Sequence, residues 1–249
     1  MSDNTHMSST PSGTSRFATT HWSVVLAAGT PDSSHYREAL ETLCRTYWFP
    51  LYAYLRRCGH DTHKAEDYTQ AFFAQMLEKN YLCDIKPKPA KFRSFLLVAL
   101  KRFIADQQGR ARAVKRGGGH KMLSLNFEGA ESRYALEPAS ELSPEKVFDK
   151  SWVLTLLEQT MTRLETELAG MNKQKLFEIL KVYLAGKEVS IPYRDLAVQL
   201  DMTEGAVKAA VYRLRRRYRE ILRDEIAQTV TTGDQIDDEI RGLFATLAE

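Results

Sequence analysis

Apolar residues recur every three or four positions along most of this chain, and no stretch alternates as a half-buried strand would. Leu40, Leu43, Tyr47, Leu51 and Leu55 share one helical stripe, which Gly59 ends. Asp61 or Thr62 caps a second helix running to about Asn80, with Ala65, Tyr68, Phe72, Phe73, Met76 and Leu77 as its apolar side. After Pro87 and Pro89 a third helix is predicted from Lys91 to Arg112, stopped by Gly117-Gly118-Gly119. Ser143 as N-cap with Pro144 in the first helical position starts the second half, where Trp152, Leu156, Leu157, Leu164 and Leu168 continue the spacing. Further helices are predicted around Lys173–Leu184, Tyr193–Leu200, Glu204–Thr229 and Gln235–Ala248. The last carries Ile236, Ile240, Leu243, Phe244 and Leu247 on one stripe.

This pattern predicts an all-α protein of two helical domains joined by a flexible linker. Residues 1–18, rich in Ser, Thr and Asn, read as a disordered tail. Residues 19–117 form the first domain, 118–144 the glycine- and proline-bearing linker, 145–230 the second domain and 231–249 an amphipathic extension. Composition adds exclusions. With 43% apolar and 27% charged residues, the 249-residue chain has the balance of a soluble globular protein. Its longest apolar run, Phe95 to Leu100, falls far short of the roughly 18 residues that span a bilayer, so no membrane association is expected. No signal peptide is visible, and Cys44, Cys58 and Cys83 make no disulfide framework, which points to a reducing cytoplasm.

Net charge, at +3, suggests little affinity for polyanions until it is resolved along the chain. Lys91 to Lys121 holds nine basic residues against the single acid Asp106, a local +8. Lys208 to Arg223 holds seven against Glu220, a local +6, which leaves −11 for the rest. Two basic segments in an otherwise acidic chain suit two stretches of one nucleic acid, although solvated helix faces would give the same pattern.

The second basic segment follows the sharpest motif, Tyr193 to Lys208. A helix-turn-helix needs a small residue where its helices cross, a tight turn, and a β-branched residue sealing the second helix. Ala197, the turn at Asp201-Met202 and Val207 stand at that spacing, with Leu196 and Leu200 packing beneath. Asp201 fills the turn position usually held by Gly, and tolerates a left-handed backbone better than most residues. Thr203 is the expected N-cap with Glu204 in the first turn. Val207, Val211, Leu214, Tyr218 and Ile221 form the buried stripe. Thr203, Glu204, Gly205, Lys208, Ala209, Tyr212, Arg213, Arg215, Arg216 and Arg219 are then the candidate DNA-facing set, small and hydrogen-bonding residues at base edges and arginines on phosphates.

The first basic segment mixes cations with rings: Lys91, Phe92, Arg93, Lys101, Arg102, Arg110, Arg112, Lys115 and Arg116 are its candidate contacts to single-stranded nucleic acid. Phe95, Leu96, Ala99 and Phe103 also make a core stripe, so most of the aromatics are assigned to packing and the cations to function. Cys58, His60 and His63 cluster, but lack the fourth ligand and paired framework of a zinc site. No phosphate-binding loop, nucleophile elbow or metalloprotease signature occurs. No enzyme activity, cofactor or metal is expected.

Taken together, the segments Thr20-His-Trp-Ser-Val-Val-Leu-Ala-Ala-Gly29, Lys64-Ala-Glu-Asp-Tyr-Thr-Gln-Ala-Phe-Phe73, Lys91-Phe-Arg-Ser-Phe-Leu96 and Met202-Thr-Glu-Gly-Ala-Val-Lys208 resemble, in order and spacing, the sigma-70 family of RNA polymerase sigma factors. The resemblance is to the extracytoplasmic-function type, which has only sigma domains 2 and 4, here with a C-terminal extension. It implies that Glu66, Asp67, Gln70 and Phe73 dock on the β′ coiled coil of core polymerase. It implies further that the Lys91–Arg116 helix recognises and opens the −10 element as single strands. The helix-turn-helix would read the −35 element in duplex DNA near the β flap, and an anti-sigma factor is a possible partner. Two positions depart from the pattern: Ala71 stands where Glu is frequent, and Arg102 where Asn is common. The alternatives are a conventional helix-turn-helix regulator that does not bind core polymerase, and a scaffold or anti-sigma-like protein. Finally, Asp224–Glu249 holds seven acids against Arg241, a local −6. This tail either shields the basic recognition face or simply stabilises the second domain.

Overall fold

A computed structural model describes residues 36–78, 92–113, 125, 127, 129–135, 142–184, 191–227 and 235–248. The expected segment Thr20–Gly29, the tail 1–18 and the glycine triplet 117–119 lie outside them. Among the described residues the fold is all-α, with no strand. The helices are α1 (Tyr36–Arg57), α2 (Thr62–Glu78), α3 (Phe92–Ala113), α4 (Ala130–Ala135), α5 (Pro144–Gly170), α6 (Gln174–Leu180), α7 (Tyr193–Leu200), α8 (Glu204–Ala227) and α9 (Gln235–Ala248). A short 3₁₀ turn, Lys181–Leu184, follows α6.

Helix α1 is the axis of the larger hydrophobic cluster. From Thr46 to Leu55 it is buried on nearly every side, so its sequence shows no polar face there. Pro50 sits inside this run and offers no N–H to the turn before it, a defect of about 3 kcal/mol in an isolated helix that burial on all sides offsets. Phe72 and Phe73 of α2, Leu96 and Phe103 of α3, and Phe148 and Trp152 of α5 pack around it. The second cluster gathers Leu164 of α5, Phe177 and Leu180 of α6, Leu196 and Ala197 of α7, and Val207, Val211, Leu214 and Ile221 of α8.

The two clusters share helices. Among the described residues the first half of α5 packs most extensively against α1, and its second half enters the smaller cluster. Helix α8 does the reverse: Leu222 and Ile226 at its end reach the larger cluster, and Tyr218 touches both. Two continuous helices therefore bridge the cores.

The described part of residues 118–144, expected to be a flexible linker, is packed against α1. Phe127 meets Trp48 edge-on at 5.4 Å between ring centroids, and Ala130 is 2% exposed. Arg56 Nε and Nη2 donate to Glu131 at 2.7 and 2.9 Å, and the Tyr52 hydroxyl donates to the same carboxylate at 2.5 Å. These charged hydrogen bonds, led by Arg56, hold Glu131 below the ordinary glutamate pKa. Capping follows the sequence: the Ser143 hydroxyl accepts from Lys146 N at 3.3 Å, and the Asp61 carboxylate from Lys64 N at 2.9 Å.

The amphipathic extension forms α9, which packs on α5 and on the end of α8. Leu243 is buried and Ile236, Ile240 and Leu247 lean on the larger cluster. Phe244, placed on the same stripe by periodicity, is 60% exposed because the contact line runs through Glu239 and Leu243 instead.

Candidate nucleic-acid interface

The turn between α7 and α8 is built as its sequence demands. Asp201 adopts a left-handed backbone (φ 51°, ψ 49°), closing α7, and Met202 N donates back to Ala197 O at 2.9 Å. The Thr203 hydroxyl then accepts from Ala206 N at 3.2 Å and caps α8. Val207, Val211, Leu214 and Ile221 are all buried, and Tyr218 is half-buried. That stripe fixes what faces outward.

On the outward face Thr203, Glu204, Gly205, Lys208, Tyr212, Arg213, Arg215, Arg216 and Arg219 are exposed, and Ala209 is half-exposed beside them. Nothing lies within 4 Å of the place a Cβ would occupy on Gly205, so the first turn of α8 is open to a close approach. Tyr212 is 68% exposed, a large ring with its apolar surface in water. Lys208 pairs with Glu204 at 2.7 Å, one turn apart, which lowers the glutamate pKa and raises that of the lysine. Arg216 pairs with Glu220 at 2.9 Å. Both pairs lie at the surface, where an ion pair holds its partners only weakly. Arg215 is more constrained, its Nε donating to Tyr183 O at 3.1 Å.

Arg217, within the same basic run, is structural: its Nε and Nη2 each donate to Glu167 of α5 at 2.8 Å. One residue the sequence reading left out joins the face. Arg194, in the first turn of α7, is exposed and close enough to Glu204 to help lower that carboxyl's pKa. Its position as a cation at the start of the first helix of the motif was the available signal.

The first basic segment is placed differently. Phe92 is 1% exposed and meets Tyr47 edge-on at 5.5 Å, so it is a core residue and presents no ring to a base. Arg93 is also withdrawn. It stacks over Trp152 at 4.5 Å, its Nε donates to Asp149 at 3.1 Å, and its Nη1 donates to Glu239 of α9. Burial pushes its guanidinium below the ordinary arginine value against the pull of Asp149. Lys101 is exposed but pairs with Glu145 at 2.7 Å, and Arg102 is exposed. The side chains of Arg110 and Arg112, and the whole of Lys91, Lys115 and Arg116, lie outside the described residues.

Arg102 and Asp106 border a cleft of 220 Å³ between α2 and α3, walled by Phe72, Met76, Phe95 and Phe103. On α2, Asp67 is exposed and Glu66 and Gln70 half-exposed, while Phe73 is 0% exposed. Phe73 therefore supports this face from the core and cannot itself touch a partner. Near Cys58, the backbone turns at Gly59 (φ 90°) and His60 packs edge-on against Tyr68 at 5.2 Å; burial lowers its pKa. Among the described residues no three His, Cys, Asp or Glu side chains are grouped to hold a metal ion, and no helix is long and apolar enough to cross a membrane.

The residues thus separate into an exposed basic face on α7–α8, a partly exposed acidic edge on α2, and a first basic helix whose leading residues are engaged internally. No family model, curated protein or solved structure matches the chain.

Proposed function

We propose that this chain is a promoter-recognition subunit of bacterial RNA polymerase, of the extracytoplasmic-function sigma type. The observation that carries the reading is the capped, open-faced second helix of the helix-turn-helix, whose buried stripe directs Lys208, Tyr212, Arg213, Arg216 and Arg219 to one side. Such a helix fits the major groove, where its first turn approaches base edges and its arginines neutralise phosphates. In this reading residues 19–117 act as sigma domain 2 and residues 145–230 as sigma domain 4, with α5 and the end of α8 packing on the larger cluster as well.

In this reading the α2 edge of Glu66, Asp67 and Gln70 meets core polymerase. Lys101 and Arg102 of α3 meet the melted strand, and the aromatic-walled cleft beside Arg102 suits an unstacked base. The chain acts by binding, with no covalent step of its own. The test mixes the purified chain with core polymerase and scores complex formation and promoter-dependent transcription. A stable complex supports the reading. Duplex binding without any core complex replaces it with a conventional helix-turn-helix regulator.

A further inference from the structure

Glu239 is the most deeply buried acid among the described residues, at 3% exposure, and it lies on the last described helix. A carboxylate taken out of water needs a cation and good geometry, and removing that cation leaves an expensive uncompensated charge. Here Arg93 serves that need. Its guanidinium joins three helices at once: α3, from which it comes, α5 through Asp149 and the Trp152 ring, and α9 through Glu239. A second pair, Arg223 to Asp237 at 2.5 Å, ties the exposed side of α9 to the end of α8. Between them lie Leu243, Ile236 and Ile240. The recognition face is left clear, since Lys208, Tyr212 and Arg216 stay exposed with α9 in place. The extension engages the first basic segment at Arg93 and only the far end of the second, at Arg223.

We infer that α9 is a clasp that competes with nucleic-acid phosphate for Arg93, holding the free protein in a state with low affinity for single-stranded DNA. The inference rests on the function proposed above and deepens it. With α9 docked, only 11% of the Arg93 side chain is exposed and Glu239 covers its Nη1, so a phosphate can reach that nitrogen only when the α9 carboxylate leaves. By reciprocity, a strand that captures Arg93 loosens α9, and release of α9 favours the strand. The remaining tail charge acts in the same direction: Asp237 sits on a cation of α8, and loss of the helix removes acids from both basic segments.

The experiment uses the full chain and two charge reversals on the same helix. Glu239→Lys places a cation against Arg93, while Asp238→Lys makes the same change of charge at a position whose side chain is 72% exposed and pairs with Arg241. Hydrogen exchange reads whether α9 stays docked, and fluorescence anisotropy reads binding of labelled oligothymidylate. The clasp predicts lost protection in α9 and about tenfold tighter oligothymidylate binding for Glu239→Lys, as expected if the competent form is a minor population. Asp238→Lys should keep its protection and change affinity by less than about twofold. Glu239→Gln, which keeps the shape of the side chain, should fall between them and covers the case that the lysine variant misfolds. Released α9 with unchanged strand binding overturns the clasp but leaves the function standing. Full protection of α9 in Glu239→Lys overturns it as well. Failure of every form to bind either oligothymidylate or duplex DNA overturns the function itself, and the clasp with it.

Discussion

The helices α3 and α8 have similar ingredients, a run of cations interleaved with aromatic residues, yet their cations are put to different uses. On α8, Lys208, Arg213, Arg216 and Arg219 face water, and the acids that pair with Lys208 and Arg216 stand one turn away on the same helix. On α3, Arg93 is withdrawn and paired with acids from two other helices, Asp149 of α5 and Glu239 of α9, while the pair of Lys101 with Glu145 of α5 stays exposed. A cation paired within its own helix stays on the surface and can be exchanged for a phosphate at small cost. A buried cation paired across helices becomes part of the joint. Which of the two a basic run becomes is decided by the neighbours, not by the run.

The largest test of this contrast is Arg93→Ala, which takes a cation away from the buried Glu239 and removes the stack on Trp152. It should lower unfolding stability by about 3 kcal/mol in urea titration, whereas Arg216→Ala should change it by less than about 0.5 kcal/mol. Equal effects would erase the distinction. Arg217 is the intermediate case, on α8 but paired to Glu167 of α5 and partly exposed, so Arg217→Ala should cost about 1 kcal/mol after solvent screening.

Acid unfolding probes the same joints. Glu131 and Glu167 have folded pKa values depressed by Arg56 and Arg217 respectively, so each contributes stability above its ordinary value, near 4.3. That contribution is lost as pH falls through the depressed folded value. Stability measured from pH 6 downward should therefore hold until about pH 4.3 and then decline, and Arg56→Ala should flatten part of the decline. A slope unaltered by Arg56→Ala would remove Glu131 from the account. A small effect of opposite sign is expected at Asp201, where Asp201→Gly relieves a left-handed backbone but frees the unfolded chain; thermal melting should show a gain of at most about 0.5 kcal/mol.

The contrast also marks what the chain discloses by itself. The second helix of the helix-turn-helix is legible because its stripe of Val207, Val211, Leu214 and Ile221 follows one period on one helix, with its turn and cap residues adjacent. The Ser143 and Asp61 caps are legible for the same reason: donor and acceptor are three residues apart. The fate of Arg93 is not, because its partners stand 56 and 146 residues away, beyond any local pattern. Phe73 is legible as core from its place on the apolar stripe and is 0% exposed; only the family resemblance puts it at a partner contact. The stretch 118–144 reads as linker from its glycines and prolines, yet Phe127, Ala130 and Glu131 find partners on α1 that periodicity cannot foresee.

The most direct measurement is the salt dependence of duplex DNA binding by the intact chain and two variants. Each phosphate contact removed lowers the slope of log affinity against log salt by about one. Arg216→Ala should lower it by about one, and Arg93→Ala should leave it unchanged. A slope that falls with Arg93→Ala and stays fixed with Arg216→Ala would contradict the assignment of the two helices.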